Sequence, residues 1–275
     1  MNKITFLLLS YFLSSSVVFG AQQIEIATYD VLPPFAFKDD QGKLTGVYIE
    51  VVKKAVSRMP DYTVTFSVFP WARAKKQVEK GLTFAILPPY FHAHDWLTKT
   101  EPQRPYIWPY SLSLFTQRDV VICNEKVLSV ARDNYPQDYE GLDFVMWRGD
   151  GRAGEVFAYM VKEKKIKLQL LNDVKSTVPM LLSGRADCTV TSRVPFAWYV
   201  KQLKDSGDWD KYSERDITLK ETAVISSNQG YLGYTDINTE KRFPYKKDFS
   251  IKFDIEIFKM KRSGEIQQIV DRFVK

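Results

Sequence analysis

Nine residues, Pro88-Pro89-Tyr90-Phe91-His92-Ala93-His94-Asp95-Trp96, bring together three large aromatic rings, both histidines of the chain and a carboxylate. They follow an apolar, strand-like run at 84–87, which puts them at the carboxyl end of a strand, where open α/β sheets hold their ligands. Tyr90, Phe91 and Trp96 suit a planar, cationic or sugar-like ligand through stacking or cation–π contact; the competing reading is a loop stapled by its own aromatics. His92 and His94 with Asp95 suggest transition-metal chemistry. Two imidazoles and one acid fall short of a four-ligand site, so no metal and no other cofactor is expected. Trp71, at the start of a predicted helix, and Arg73 two residues on add an indole and a guanidinium. Gly149-Asp150-Gly151-Arg152 opens another predicted helix, whose free amides can hold an anion. Asp95 and Asp150 form the one candidate carboxylate pair, and with no serine elbow the chain is not expected to be an enzyme.

These groups need elements to carry them, and the chain spells out one such element twice. Residues 71–87 read as a helix, a glycine stop and an apolar strand, and 174–191 repeat that grammar about a hundred residues later. Gly81 and Gly184 each sit where a helix C-cap favours positive φ. Around the first unit, 23–29 and 62–69 alternate like strands, and an apolar stripe from Tyr48 to Met59 marks a helix. Pro70 begins the Trp71 helix at the favoured first-turn position. Around the second unit, 144–147 and 167–171 read as strands, and 153–162 and 195–203 as helices. The stretch 111–121 is strand-like and suited to a crossing between lobes; 222–234 would cross back, and 253–273 is helical with a break at Ser263-Gly264. This β-α-β-α-β order predicts mostly parallel sheets with helices on their faces, in two lobes with a cleft between them.

Bulk properties narrow the function. Lys3 precedes an apolar stretch at 4–19 ending in small residues, a leader cut after Gly20 or Ala21 and too short and serine-rich to span a membrane. The remaining chain of roughly 250 residues suits two lobes better than one core. The net charge of +6, or +5 without Lys3, is spread among acids, as in Lys162-Glu163-Lys164-Lys165, so nucleic-acid binding is not expected. Cys123 and Cys188 either pair in a disulfide, which an oxidising compartment permits, or stay as buried thiols; nothing near either supplies a base for catalysis.

Several motifs in order carry a family resemblance: Pro33-Pro34-Phe35-Ala36-Phe37, then Gly42 and Leu44-Thr45-Gly46; Trp71 ten residues before Gly81; Arg104-Pro105-Tyr106; Ser183-Gly184-Arg185-Ala186-Asp187; and a closing helix beginning Arg262-Ser263-Gly264-Glu265. Across nearly all of its mature length the chain resembles the bacterial extracellular solute-binding proteins of family 3, the polar amino-acid class of ABC-importer receptors. The resemblance implies a two-lobed, type II periplasmic-binding-protein-like α/β fold, joined by two hinge strands. Its expected divisions are a signal peptide at 1–20, lobe 1 at 21–116 plus 226–275, and lobe 2 at 117–225. It also implies a ligand site lined by Leu32, Phe35 (more a plug beneath the site), Trp71, Arg73, Pro88, Tyr90, Phe91 and Trp96 from lobe 1. Lobe 2 would add Trp147, Arg148, Asp150, Arg152 and Ser192.

The departures bear on the ligand. The family's amino-acid receptors place an Arg about fifteen residues after the glycine to clamp an α-carboxylate; here that position is Trp96. The acid that meets the ligand ammonium falls here on Ser192. The expected function is therefore a periplasmic, monomeric receptor for a small polar solute, amino-acid-like or aromatic and cationic, that serves the membrane permease of an ABC importer. The alternatives are a ligand-presenting partner of a membrane sensor kinase, or a dehydratase- or lyase-like enzyme on the same fold.

Overall fold

The structure is a computed structural model describing residues 20–213 and 217–275. The expected leader, apart from Gly20, lies outside the described residues. β1 (Gln22–Thr28) buries Ile24 and Ile26 and leads into three short antiparallel strands, β2 (Val31–Leu32), β3 (Ala36–Lys38) and β4 (Leu44–Thr45). Their two- and three-residue lengths kept them below the threshold of any alternation pattern. Then come α1 (Val47–Val56), β5 (Tyr62–Val68), α2 (Trp71–Glu79), β6 (Ala85–Ile86) and β7 (Ile107–Tyr110). The sequence offers no strand at β7, because Pro109 removes a donor there. β7 tolerates it as the edge of its sheet.

β8 (Phe115–Asn124) starts the second half, followed by β9 (Asp143–Trp147), α3 (Gly154–Lys162), β10 (Lys167–Leu171), α4 (Thr177–Leu182), β11 (Cys188–Ser192), α5 (Arg193–Asp205) and α6 (Trp209–Tyr212). β12 (Leu219–Gly230) returns, and β13 (Gly233–Thr235), α7 (Thr239–Arg242), α8 (Lys246–Arg262) and α9 (Glu265–Val274) complete the chain. The final helical stretch thus begins at Lys246, seven residues before the predicted start at 253, and breaks at Gly264 as predicted.

Two five-stranded sheets result, ordered β5-β1-β6-β13-β7 and β10-β9-β11-β8-β12. Each is parallel over its first three strands and antiparallel over its last two. The central strand of each, β6 or β11, is the strand of the repeated helix–glycine–strand unit. Gly81 and Gly184 take φ of +62° and +66°, and a Cβ on Gly81 would sit 2.6 Å from the Ile237 carbonyl oxygen. Helices cover both faces of each sheet. This is the two-lobed type II architecture, and the predicted mostly parallel sheets end in antiparallel strands because the chain enters and leaves each lobe through the crossing.

The crossing itself is compact. Ser111 and Leu114 donate backbone hydrogen bonds to Leu232 and Gly230, at 2.9 and 2.8 Å, and regular pairing then runs along β8 and β12. Residues 111–114, expected as strand, are irregular. α8 grips them: Asp254 accepts from the Leu112 amide at 2.8 Å and Lys261 donates to Ser113 at 2.6 Å. Apolar packing docks α8. Phe84 packs its ring 5.2 Å from Phe249 and 5.4 Å from Tyr234, and burying such a ring contributes about 1.5–3 kcal/mol. An exposed ion pair such as Lys252–Asp61 adds little beside this, because water screens it.

Cys123 and Cys188 form a disulfide between directly opposed positions of β8 and β11, both fully buried. It closes a loop of 65 residues, so a Cys123→Ala/Cys188→Ala protein should lose about 2–5 kcal/mol in urea denaturation. Gly230 makes a second test. A Cβ there would lie 2.2 Å from the Tyr48 hydroxyl and 2.4 Å from its ring, and Tyr48 is fully buried. Gly230→Ala should therefore destabilise the fold by about 1–3 kcal/mol in urea denaturation, whereas Gly151→Ala, which meets open space without a positive φ, should cost less.

Candidate functional site

The carboxyl ends of β1, β5 and β6 lead to Tyr29, Phe69 and the 88–96 segment, and α2 begins beside them with Trp71. Trp71 lies 4.9 Å from Tyr29 and 5.9 Å from Trp96, ring to ring. Trp96 is enclosed: His92 stacks on it at 4.6 Å, Tyr106 at 6.0 Å, and the Lys75 ammonium lies 5.5 Å from its ring centre. An indole held this way stiffens the wall under Trp71 and offers no charge where the resemblance calls for an Arg. Arg73 is exposed and rests over Phe69, 5.2 Å away. Phe91 is half exposed and packs on Tyr110 at 5.0 Å.

Other expected residues lie deeper. Phe35 is 1% exposed and packs between Tyr48 and Phe115, at 5.2 and 6.0 Å. Pro88 is buried and Leu32 half-buried. The 91–96 segment is a turn closed by the Asp95 and Trp96 amides on the His92 carbonyl, not the extended run that would point both histidines one way. His92 and His94 reach the same Asp95 oxygen at 3.7 and 3.1 Å, and among the described residues no group of three His, Cys, Asp or Glu side chains is placed to hold a metal.

The opposite wall is polar. Asp119 on β8 is register partner to Ser192 on β11 and to Ser226 on β12, so the three side chains share a face of the second sheet. The Ser192 hydroxyl donates to Asp119 Oδ1 at 2.6 Å and accepts from Gln117 Nε2 at 2.6 Å and from Arg152 Nη1. With its capacity used up, it leaves the start of α5 without a side-chain cap. Arg152 also donates from Nη1 to Asp119 at 3.0 Å and from Nε to Asp150 at 2.7 Å, while Ser226 donates to the second Asp119 oxygen at 2.7 Å. Tyr90 joins the walls by donating to Gln117 Oε1 at 3.1 Å. Trp147 and Arg148 stand exposed at the end of β9, with Arg148 turned to Asn172 at 3.1 Å.

Electrostatics tie the two walls. Burial first, then the Asp119 carboxylate, pushes the Tyr90 phenol above its ordinary value, against the pull of Arg152. Burial likewise raises Tyr29 and Tyr48, each further raised by Tyr90. Asp119, Gln117, Tyr29 and Tyr48 were missed in the sequence. The alternation Gln117, Asp119, Val121 signals one face of a strand, but only the pairing of β8 with β11 says what that face meets. Removing Asp119 strands several donors at once: Asp119→Ala should cost about 1–3 kcal/mol in urea denaturation. Asp95→Ala, on the surface, should stay within about 0.5 kcal/mol.

No curated protein sequence matches the chain. Solved structures do. Substrate-binding domain 2 of Lactococcus lactis GlnP, in an open conformation, matches with a TM-score of 0.65 at 13% identity, over 92% of this chain and 95% of that one. The unliganded, open L-cystine solute receptor of Neisseria gonorrhoeae matches at 0.63 and 17%, over 92% of each. A histidine kinase sensor domain with similarity to periplasmic binding proteins matches at 0.51 and 14%, over 93% and 97%. At such identities these likenesses show the fold, and the family rests on the sequence itself. The sequence description of one family covers residues 24–275, both lobes and both crossings, and the chain accordingly belongs to the bacterial extracellular solute-binding proteins, family 3.

Proposed function

We propose that this receptor works outside the cytoplasmic membrane, in a periplasm, as a monomer that captures a small polar solute and passes it to the permease of an ABC importer. The lobes are taken as residues 21–116 with 226–275 and residues 117–225, and the solute as amino-acid-like or aromatic and cationic. The observation that carries this reading is the pairing of an aromatic wall, Tyr29 with Trp71, against a charged one, Asp119 with Arg152 and Ser192. Tyr90 bridges them at the crossing. A ligand touching both walls favours the closed arrangement by its differential affinity for it. Stacking plus a few charge-assisted hydrogen bonds is enough for micromolar binding, about 8 kcal/mol.

Binding is favoured over catalysis by the state of the acids. Asp119 and Asp150, the carboxylates of the cleft wall, are both committed to Arg152, and Asp95 with its two imidazoles lies on an exposed turn. Among the described residues no helix is long and apolar enough to cross a membrane, in keeping with a receptor released after leader cleavage.

The test begins with protein refolded to remove any bound solute. A thermal-shift screen of amino acids, amines, aromatic acids, sugars and short peptides finds ligands, and small-angle scattering reads closure as a fall in radius of gyration. Trp71→Ala should weaken the bound solute by about 1–2 kcal/mol, roughly five- to thirtyfold in Kd, and leave the ligand-free protein folded. A solute that binds without compacting the protein, or one indifferent to Trp71, sinks the cleft reading.

A further inference from the structure

The guanidinium of Arg152 is held like a bound ligand. Its Nε and its backbone amide both donate to Asp150 Oδ1, at 2.7 and 3.1 Å, and its Nη1 donates to Asp119 and Ser192. The segment that carries it runs between Gly149 and Gly154, both at positive φ, and is anchored at buried Ala153, whose carbonyl accepts from Tyr135 at 2.9 Å, so breaking the ion pairs releases the Arg152 side chain and not its backbone. The side chains of Asp119 and Asp150 are only 18% and 11% exposed, and that of Arg152 is 30% exposed. Two carboxylates around one guanidinium leave this cluster with one net negative charge, and the nearby Arg148 is turned away to Asn172 at 3.1 Å.

Arg152 thus has two readings, an anchor for a ligand's anion or a substitute for a ligand's cation. The charge count separates them. An anion drawn to the guanidinium would meet the two carboxylates already bonded to it. The guanidinium offsets one of these acids, and the other repels the anion without compensation. A cation meets the reverse: two acids, and the faces of Tyr29 and Trp71, whose quadrupoles attract it. A further group is waiting. The Tyr48 hydroxyl is buried with no hydrogen-bond partner among the described residues, and lies close enough to Tyr29 and Tyr90 to feel both. Trp96, at the place where the family resemblance calls for a carboxylate-binding Arg, brings none.

We propose that Arg152 is a built-in substitute for the ligand, and that the cleft takes a small amine or guanidine with no need of an α-carboxylate, whose charge displaces the Arg152 guanidinium from Asp119 and Asp150. The proposal rests on the receptor reading above and names its ligand class. Self-occupancy lowers the apparent affinity of the free protein, because only molecules with Arg152 swung away can bind. The ligand's cation then completes the same hydrogen bonds to Asp119 and Ser192 while its body stacks on Trp71.

Titration calorimetry with butylguanidine and with arginine, its carboxylated counterpart, tests this on the leaderless protein. Arg152→Ala should bind butylguanidine at least about tenfold more tightly than the unmutated protein, since an internal competitor is gone. Adding Asp119→Asn to that variant should abolish the gain, and arginine should bind no more tightly than butylguanidine. Arg152→Gln, which keeps the stem and an amide donor, should fall between and serves if the alanine variant does not fold. Weaker butylguanidine binding in either Arg152 variant overturns the proposal, as does failure of butylguanidine to bind any of these proteins. If instead arginine or another carboxylate binds the unmutated protein, compacts it, and is lost in the Arg152 variants, Arg152 is an anion anchor. The receptor reading then stands and this proposal falls.

Discussion

β8 and β12 hold each other by backbone hydrogen bonds from Phe115 opposite Gly230 to Asn124 opposite Leu219. The second lobe hangs from this ribbon, since β11 pairs with the other edge of β8 and β9 with β11. The same ribbon carries Gln117 and Asp119, so the strands that join the lobes also carry part of the polar cluster of the candidate site. Gly230 lets it pass against the Tyr48 ring, and Asp254 and Lys261 on α8 steady its approach at Leu112 and Ser113. Few elements therefore separate a change at the site from a change in lobe orientation.

Within that frame, charge has moved between strands. The family position for the acid at the end of β11 holds Ser192, yet a carboxylate stands 2.6 Å from its hydroxyl, delivered by Asp119 from the neighbouring strand. The family position for the cation in lobe 1 holds Trp96, while the guanidinium at the cleft comes from Arg152 in lobe 2. Charge-assisted hydrogen bonds are short-ranged, so which strand supplies them matters less than where the oxygen and nitrogen atoms end up. Here both signs sit on lobe 2 and neutralise each other in part, whereas lobe 1 contributes rings.

The repeated helix–glycine–strand unit explains why the halves resemble one another. In each lobe it delivers the central strand, whose carboxyl end opens at the cleft: β6 toward Tyr90, β11 toward Ser192. Both glycines take the left-handed conformation, and Gly81 has the added constraint of the Ile237 carbonyl against it. The disulfide then secures β11 to β8 at the far end from the site, Cys188 opposite Cys123.

Much of this was legible in the chain. Helices longer than two turns, the two C-cap glycines, the strands of five or more residues and the two crossings all announce themselves by periodicity or by residues with one favoured conformation, which are local properties. The order of motifs carried the family and with it the two-lobed fold. β2–β4 and β7 did not announce themselves, being too short or interrupted by proline. Leu32 and Pro88 were named from their places in the family motifs, which carry no information on depth, and they lie half-buried and buried; Phe35, expected as a plug beneath the site, is 1% exposed. Only the tertiary structure decided that Trp96 is enclosed by other rings, that Ser192 meets Asp119, and that Arg152 closes on two acids. The Ser192–Asp119 contact depends on register between strands 73 residues apart and the others on how a turn or a helix entry packs, and a single sequence encodes no distance between such segments.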